Sequence, residues 1–126
     1  MRKVVESQNA PRPAAAYSQG ILTESFVFTA GQVALDPATG KIVEGGIKEQ
    51  TRQVMENLKA VLDAAGTDFS RVVKATVFLA DINDFSQLNE VYGEYFPEDP
   101  PARSAFQVGA LPLGARVEIE MIALAG

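Results

Sequence analysis

Arg103, in the run Pro100-Pro101-Ala102-Arg103-Ser104-Ala105-Phe106, is the side chain whose type and setting point most directly to chemistry, because the sequence holds no histidine and no cysteine. Without them the commonest general base, the thiol nucleophile and the usual zinc ligands are all missing. What remains is arginine, carboxylates, hydroxyls and backbone. A guanidinium grips a carboxylate through two parallel charge-assisted hydrogen bonds, a geometry lysine does not reproduce. Near the C-terminus, Glu118 and Glu120 alternate with Ile119, so both carboxylates fall on one side of an extended strand. Such a pair is more often a solvated or salt-bridged edge than an acid–base group. An arginine at a strand start is, by itself, usually a surface residue or half of an ion pair.

The elements that carry these residues follow from hydrophobic spacing. Val4 and Val5 suggest a short strand before a proline-punctuated loop, Asn9 to Ala16, which leads to Tyr17 and Ser18. Phe26, Phe28 and Ala30 alternate with Val27 and Thr29, a strand that ends at Gly31-Gln32; the first two strands read as a hairpin, and Asp36 to Gly40 supplies turn chemistry. From Ile47 the period changes: Ile47, Thr51, Val54, Leu58, Val61, Leu62 and Ala65 form the stripe of an amphipathic helix, with Gly66 placed for a left-handed cap. Val72 to Ala80 reads as a central strand with Val73, Ala75, Val77 and Leu79 on one face and Lys74, Thr76 and Phe78 on the other. A second helix follows, capped by Asp81 or Asn83, with a core side of Phe85, Leu88, Val91, Tyr92, Tyr95 and Phe96 and a stop at Pro97. Strands over Arg103 to Val108 and Ala115 to Leu124 complete the chain.

This order describes an α+β domain with both helices on one face of a sheet. In the last strand Val117, Ile119, Met121 and Ala123 occupy one side, while Glu118, Glu120, Ile122 and Leu124 occupy the other. A sheet this apolar on both faces, with helices for only one, predicts that the open face packs against copies of the same chain, with pockets between subunits. With 126 residues, 47% of them apolar, residues 1–126 make a single domain with one core and no room for a second. A net charge of −5 with singly scattered cations argues against nucleic acid as a partner. Neither a signal-peptide-like apolar run nor a bilayer-length segment is present, so the expectation is a cytoplasmic chain with no membrane partner.

The motifs together resemble the RidA/YjgF family: Asn9-Ala10-Pro11, Tyr17-Ser18-Gln19-Gly20, Ala30-Gly31-Gln32, Gln50-Thr51-Arg52-Gln53, Asn57-Leu58, Lys74 to Leu79, Asp84-Phe85, Asn89, Tyr92, Phe96, Pro101-Ala102-Arg103-Ser104 and Glu118-Ile119-Glu120, in order and nearly end to end. The resemblance implies a homotrimer of the chorismate-mutase-like fold, a mixed sheet of about six strands with two helices on one face. It also implies hydrolysis of reactive imines and enamines, such as 2-aminoacrylate and 2-iminobutanoate, to 2-oxo acids and ammonium, with no metal or organic cofactor. Carried over residue by residue, Arg103 would bind the substrate carboxylate and Glu118 would position the attacking water. Tyr17 would line the pocket, and the Gly31 amide and Ala105 carbonyl would meet substrate through backbone.

Plainer roles stand beside these: Tyr17 as a packing aromatic, Gly31 as a backbone requirement, Asn89 as a helix-surface residue. The choice of Glu118 over Glu120 rests on the resemblance. Many relatives carry cysteine where this chain has Ala105 and serine where it has Ala30, so oxidation at the former position is excluded here. Two other functions fit the same residues: a non-catalytic binder of 2-oxo acids using the Arg103 clamp alone, and an endoribonuclease or translation inhibitor, a label some relatives bear. The second is opposed by the acidic charge and the lack of histidine. A chorismate-mutase-type isomerase would need more than one well-placed cation for its dicarboxylate.

Overall fold

A computed structural model describes all residues 1–126. Six strands form one sheet: β1 (Lys3–Val5), β2 (Gly20–Leu22), β3 (Phe26–Thr29), β4 (Val72–Leu79), β5 (Ala102–Gln107) and β6 (Val117–Leu124), in the spatial order β1-β2-β3-β6-β4-β5. All neighbours are antiparallel except β4 and β5, which run parallel because helix α2 (Phe85–Glu94) carries the chain back between them. Helix α1 (Ile47–Ala64) lies over β3 and β6 and alongside α2. The α+β expectation, with both helices on one face, is met.

One strand escaped the sequence reading. Gly20–Leu22 pairs with both β1 and β3, so the hairpin joins β2 to β3, and β1 adds outside it. Three residues beginning with glycine show no alternation to read.

In the main core cluster the apolar stripe of α1 (Val54, Met55, Leu58, Leu62) meets Val117, Ile119, Met121 and Ala123 of β6, and a small second cluster joins Val61 to Val5 and Ala10. Every predicted α1 stripe position from Ile47 to Leu62 is buried, while Ala65 is half-buried beyond the last turn. At the amino end of α1 the Glu49 carboxylate accepts the Gly46 N–H at 2.8 Å. At its other end Gly66 takes φ +79°, and the Thr67 N–H donates to the Leu62 carbonyl at 3.0 Å, the glycine cap the sequence called for.

Two expected core positions are not core. Val73 turns outward because the β4–β6 register shifts between Val72 and Lys74, so Val72 takes its place beneath the helices. Phe85, at the first residue of α2, is 37% exposed at the sheet edge. Neither expected cap serves α2 itself: Asp81 accepts the Asn83 N–H at 2.9 Å and so caps a 3-10 turn, Ile82–Asp84, that leads into the helix, whose own N-cap is Asp84 without a side-chain cap bond.

The open face carries a cross-strand row of Val4, Ile21, Phe28 and Ile122, with Phe26 beside Leu124 at one end and Phe78 beside Phe106 at the other. Phe26, Phe28, Phe106 and Leu124 are all exposed in the single chain. The second face predicted from β6 therefore carries apolar side chains on every strand, interrupted by Lys74, Thr76, Glu118 and Glu120.

Candidate active site

The loop ahead of β2 is shaped by Gln19. Its buried amide accepts the Ser7 N–H at 2.6 Å and donates to the carbonyls of Ser7, Ala10 and Pro11 at 2.9–3.3 Å. This clamp accounts for the glutamine in the Tyr17-Ser18-Gln19-Gly20 motif, and it holds up a loop in which Tyr17 is 52% exposed with no hydrogen bond to its hydroxyl. Tyr17 and Ala30 line one shallow, open cleft of about 460 Å³, together with Arg2 and Phe28.

Gly31 follows Ala30 and lies against Glu118. A Cβ on Gly31 would stand 2.9 Å from the Glu118 carboxyl carbon and closer still to its oxygen, so the carboxylate occupies space that any other residue would fill. Gln32 exchanges both backbone hydrogen bonds with Ile119, at 2.9 and 3.1 Å, which turns the Gly31 amide the other way; it donates to no group of the chain. Glu118 is half-buried and receives no hydrogen bond from the protein, and burial, with the charge of Glu120 second, holds its carboxyl above the ordinary glutamate range. Glu120, one step along the same face, is exposed. The two carboxylates that the sequence alone could not rank thus differ in burial.

Arg103 sits on β5, the edge strand. The parallel register pairs it with Ala75, a core position, so its side chain leaves the helix face. There the guanidinium carbon lies 4.8 Å from the ring centroid of Tyr92 and 5.4 Å from that of Phe85. It forms no ion pair and no hydrogen bond within the chain. Ala105 follows on the same strand. Because the Val108 N–H donates to the Leu79 carbonyl at 2.9 Å, the alternation of a parallel ladder turns the N–H and C=O groups of Arg103 and Ala105 off the sheet edge, free for another partner.

The candidate residues therefore form two groups. Gly31 and Glu118 stand together, with Tyr17 across the cleft lined by the adjoining Ala30, and Arg103 and Ala105 stand at another place. Glu118 pairs with Phe78 and Phe78 with Phe106, so Glu118 and Arg103 are two strand spacings apart, roughly 10 Å, and three residues out of register, about 10 Å more. Their side chains leave opposite faces. In an imino acid the carboxylate carbon is bonded directly to the imine carbon, so one chain cannot bring both residues to one such molecule.

Other motif residues are structural. The Asn57 amide donates to the carbonyls of Val33 and Leu35 at 3.2 and 2.9 Å, and the Gln50 side chain accepts the Arg116 N–H at 2.9 Å. Asp84, buried, takes two hydrogen bonds from the Arg116 guanidinium at 2.9 and 3.2 Å. A cleft of about 550 Å³ between α1 and α2 is edged by the pairs Lys48–Glu90 and Arg52–Glu94 and contains none of the predicted site residues. Sequence reasoning passed over Phe85 and Tyr92 as neighbours of Arg103, since apolar spacing alone reads as core; the signal was their separation of seven residues, two helical turns on one side of α2. No helix is long and apolar enough to cross a membrane.

Comparison with known proteins agrees over the whole length. The family model described as endoribonuclease L-PSP matches residues 7–125. A 2-iminobutanoate/2-iminopropanoate deaminase of Rattus norvegicus is 49% identical over 126 residues, covering 100% of this chain and 92% of the relative. A RutC family protein of Pyrococcus horikoshii is 54% identical over 123 residues, 98% of each chain. Among solved structures, Escherichia coli TdcF with bound serine superimposes with a TM-score of 0.94 at 41% identity, over 98% of this chain and 99% of the other. On sequence and fold alike, the chain belongs to the RidA/YjgF family, whose model bears the endoribonuclease L-PSP description.

Proposed function

We propose that this chain hydrolyses 2-imino and 2-enamino acids, such as 2-iminobutanoate and 2-aminoacrylate, to 2-oxo acids and ammonium, as a cytoplasmic homotrimer whose sites lie between subunits. One observation carries the reading: Arg103 is a cation with no anion of its own chain, and Glu118 is a half-buried carboxylate with no donor of its own chain. Two groups left unpaired in this way have capacity for a ligand. Their separation within one chain supports a site completed by a second copy, and the apolar open face, with Phe28, Phe78, Phe106 and Ile122 on it, is the surface such copies would bury. The similarity to deaminases at 46–50% identity over the full chain supports the substrate class.

In this reading the Arg103 fork binds the substrate carboxylate and fixes the imine carbon. Water held by Glu118 adds to that carbon as the carboxylate accepts its proton. That proton passes to the nitrogen to give a carbinolamine, whose hydroxyl proton then moves by way of Glu118 to the nitrogen as the C–N bond breaks; C=N is thus replaced by C=O, and the ammonia released takes up a further proton in solution. A carboxyl held above its ordinary range is a better proton acceptor once ionised than an exposed one, which favours Glu118 over Glu120. The free Gly31 amide and the outward Ala105 carbonyl contact substrate through backbone, and Tyr17 lines the pocket. None of these steps uses a metal or organic cofactor.

Purified protein added to a threonine dehydratase reaction should accelerate 2-oxobutanoate appearance in proportion to its concentration, and light scattering should give about 40 kDa, three times the 13.5-kDa chain. Absence of acceleration by the wild type would sink the enzymatic reading. A second reading, a non-catalytic binder of small carboxylates, is favoured by the solved relative that holds serine, an amino acid and no imine; binding of 2-oxobutanoate without acceleration would establish it. Ribonuclease activity, which the family description names, is opposed by the net charge of −5 and the lack of histidine.

A further inference from the structure

We infer that Phe85 and Tyr92 are positioning residues for Arg103: two rings on one side of α2 hold the guanidinium by its face and leave its N–H groups free for a carboxylate. This inference rests on the proposed role of Arg103 and adds what sets its orientation.

Charge distribution around α2 carries the argument. The carboxylates of α2 and of the residue just ahead of it are each engaged by another cation: Asp84 by Arg116, Glu90 by Lys48, Glu94 by Arg52. Arg103 reaches the same helix and finds only aromatic faces, at 4.8 and 5.4 Å from its guanidinium carbon. A ring quadrupole attracts a cation from above and below its plane and takes no N–H in return. A protein carboxylate at this place would compete directly with the substrate; two rings steady the side chain without competing. They also strip water from the guanidinium face, which raises the gain when an anion arrives at its edge.

The Tyr92 hydroxyl bears on the same point. It is buried and has no hydrogen-bond partner. The hydroxyl thus ties Tyr92 to nothing else in the chain, and what the residue presents to Arg103 is its ring.

The test combines ligand binding with a direct probe of the stack. With the guanidinium carbon over both rings, ring current should shield the Arg103 Hε proton in wild type. Phe85→Leu, at a half-exposed position, should move that resonance downfield, weaken 2-oxobutanoate binding and raise KM by about fivefold to tenfold, and leave kcat within about twofold. Tyr92→Leu should do the same, and Tyr92→Phe should restore most of the loss. In an Arg103→Ala background Phe85→Leu should change ligand affinity no further. An unmoved Hε resonance, an affinity that ignores Phe85→Leu, or an equal loss with and without Arg103 would each overturn the positioning role. Wild-type protein that binds no 2-oxo acid would instead remove the proposed function itself, and this inference with it.

Discussion

Arg116 and Arg103 both reach helix α2, and the two regions treat the same side chain in opposite ways. Arg116, just ahead of β6, is held by two hydrogen bonds to the buried Asp84, and its backbone N–H goes to Gln50 of α1. Arg103, near the start of β5, lies on Phe85 and Tyr92 and has no partner for its N–H groups. One arginine ties the end of a strand to both helices. The other is steadied but left chemically open. Glu118 stands with the second: a half-buried carboxylate without a donor, beside a glycine whose amide is free. The pairing of a charge, more than its residue type, separates framework from site in this chain.

Breaking the open set should affect activity more than folding. Arg103→Ala should lower kcat/KM in the coupled dehydratase assay by about 10²- to 10³-fold, the loss typical of a charged ligand contact, while thermal unfolding shifts little. A stability loss as large as that of Arg116→Ala would erase the contrast. Glu118→Gln should reduce kcat by roughly 10² while 2-oxobutanoate still binds.

The same variant carries a pH signature. The Glu118 carboxyl is raised in the folded chain, first by burial and then by Glu120, so the folded state holds this proton more tightly than the unfolded state does. Its stabilising contribution is complete below the ordinary value of 4.5 and is lost as pH rises through the higher folded value. At neutral pH the buried charge destabilises the fold. Glu118→Gln should therefore melt higher than wild type at pH 7 and lose that advantage in acid, and wild-type kcat/KM should fall on the acid side with a midpoint above 4.5.

The closed region gives the converse. Arg116→Ala leaves Asp84 buried and unpaired and should destabilise the fold by roughly 2 kcal/mol, read as a lower denaturation midpoint with an unchanged slope. Tyr92→Phe sharpens the contrast within the open region. Removing an orphaned buried hydroxyl should raise stability by about 1 kcal/mol and Tm by about 4 °C. The smallest effect belongs to Glu120→Gln: with the like charge gone, the acid limb of the activity profile should move to lower pH by less than about one unit, and the shift should shrink in high salt.

Much of this molecule could be read from local spacing. The α1 stripe, the glycine cap at Gly66, the alternation in β6 and the apolar open face depend on residues two to four apart, whose side chains share a face once the backbone conformation is set. The candidate site was legible through motifs, since Arg103, Glu118, Gly31, Tyr17 and Ala105 stand in recognisable runs. Pairing was not legible. Val73 looked like core until the bulge at Val72/Lys74 turned it out, and Gly20–Leu22 had too few residues to show a period. Phe85 read as core because an aromatic at helical spacing does not reveal that the sheet ends beside it.

The sequence by itself determined which elements form, which side chains can carry charge chemistry, and that histidine and thiol chemistry are absent. Only the tertiary structure decided that Arg103 and Glu118 leave opposite faces of the sheet two strands apart, and that one arginine is paired while the other rests on rings. The reason is physical. A strand's face follows from its own alternation, but its neighbours, direction and register follow from contacts between residues far apart in the chain, here the insertion of β6 between β3 and β4 and the parallel return of β5.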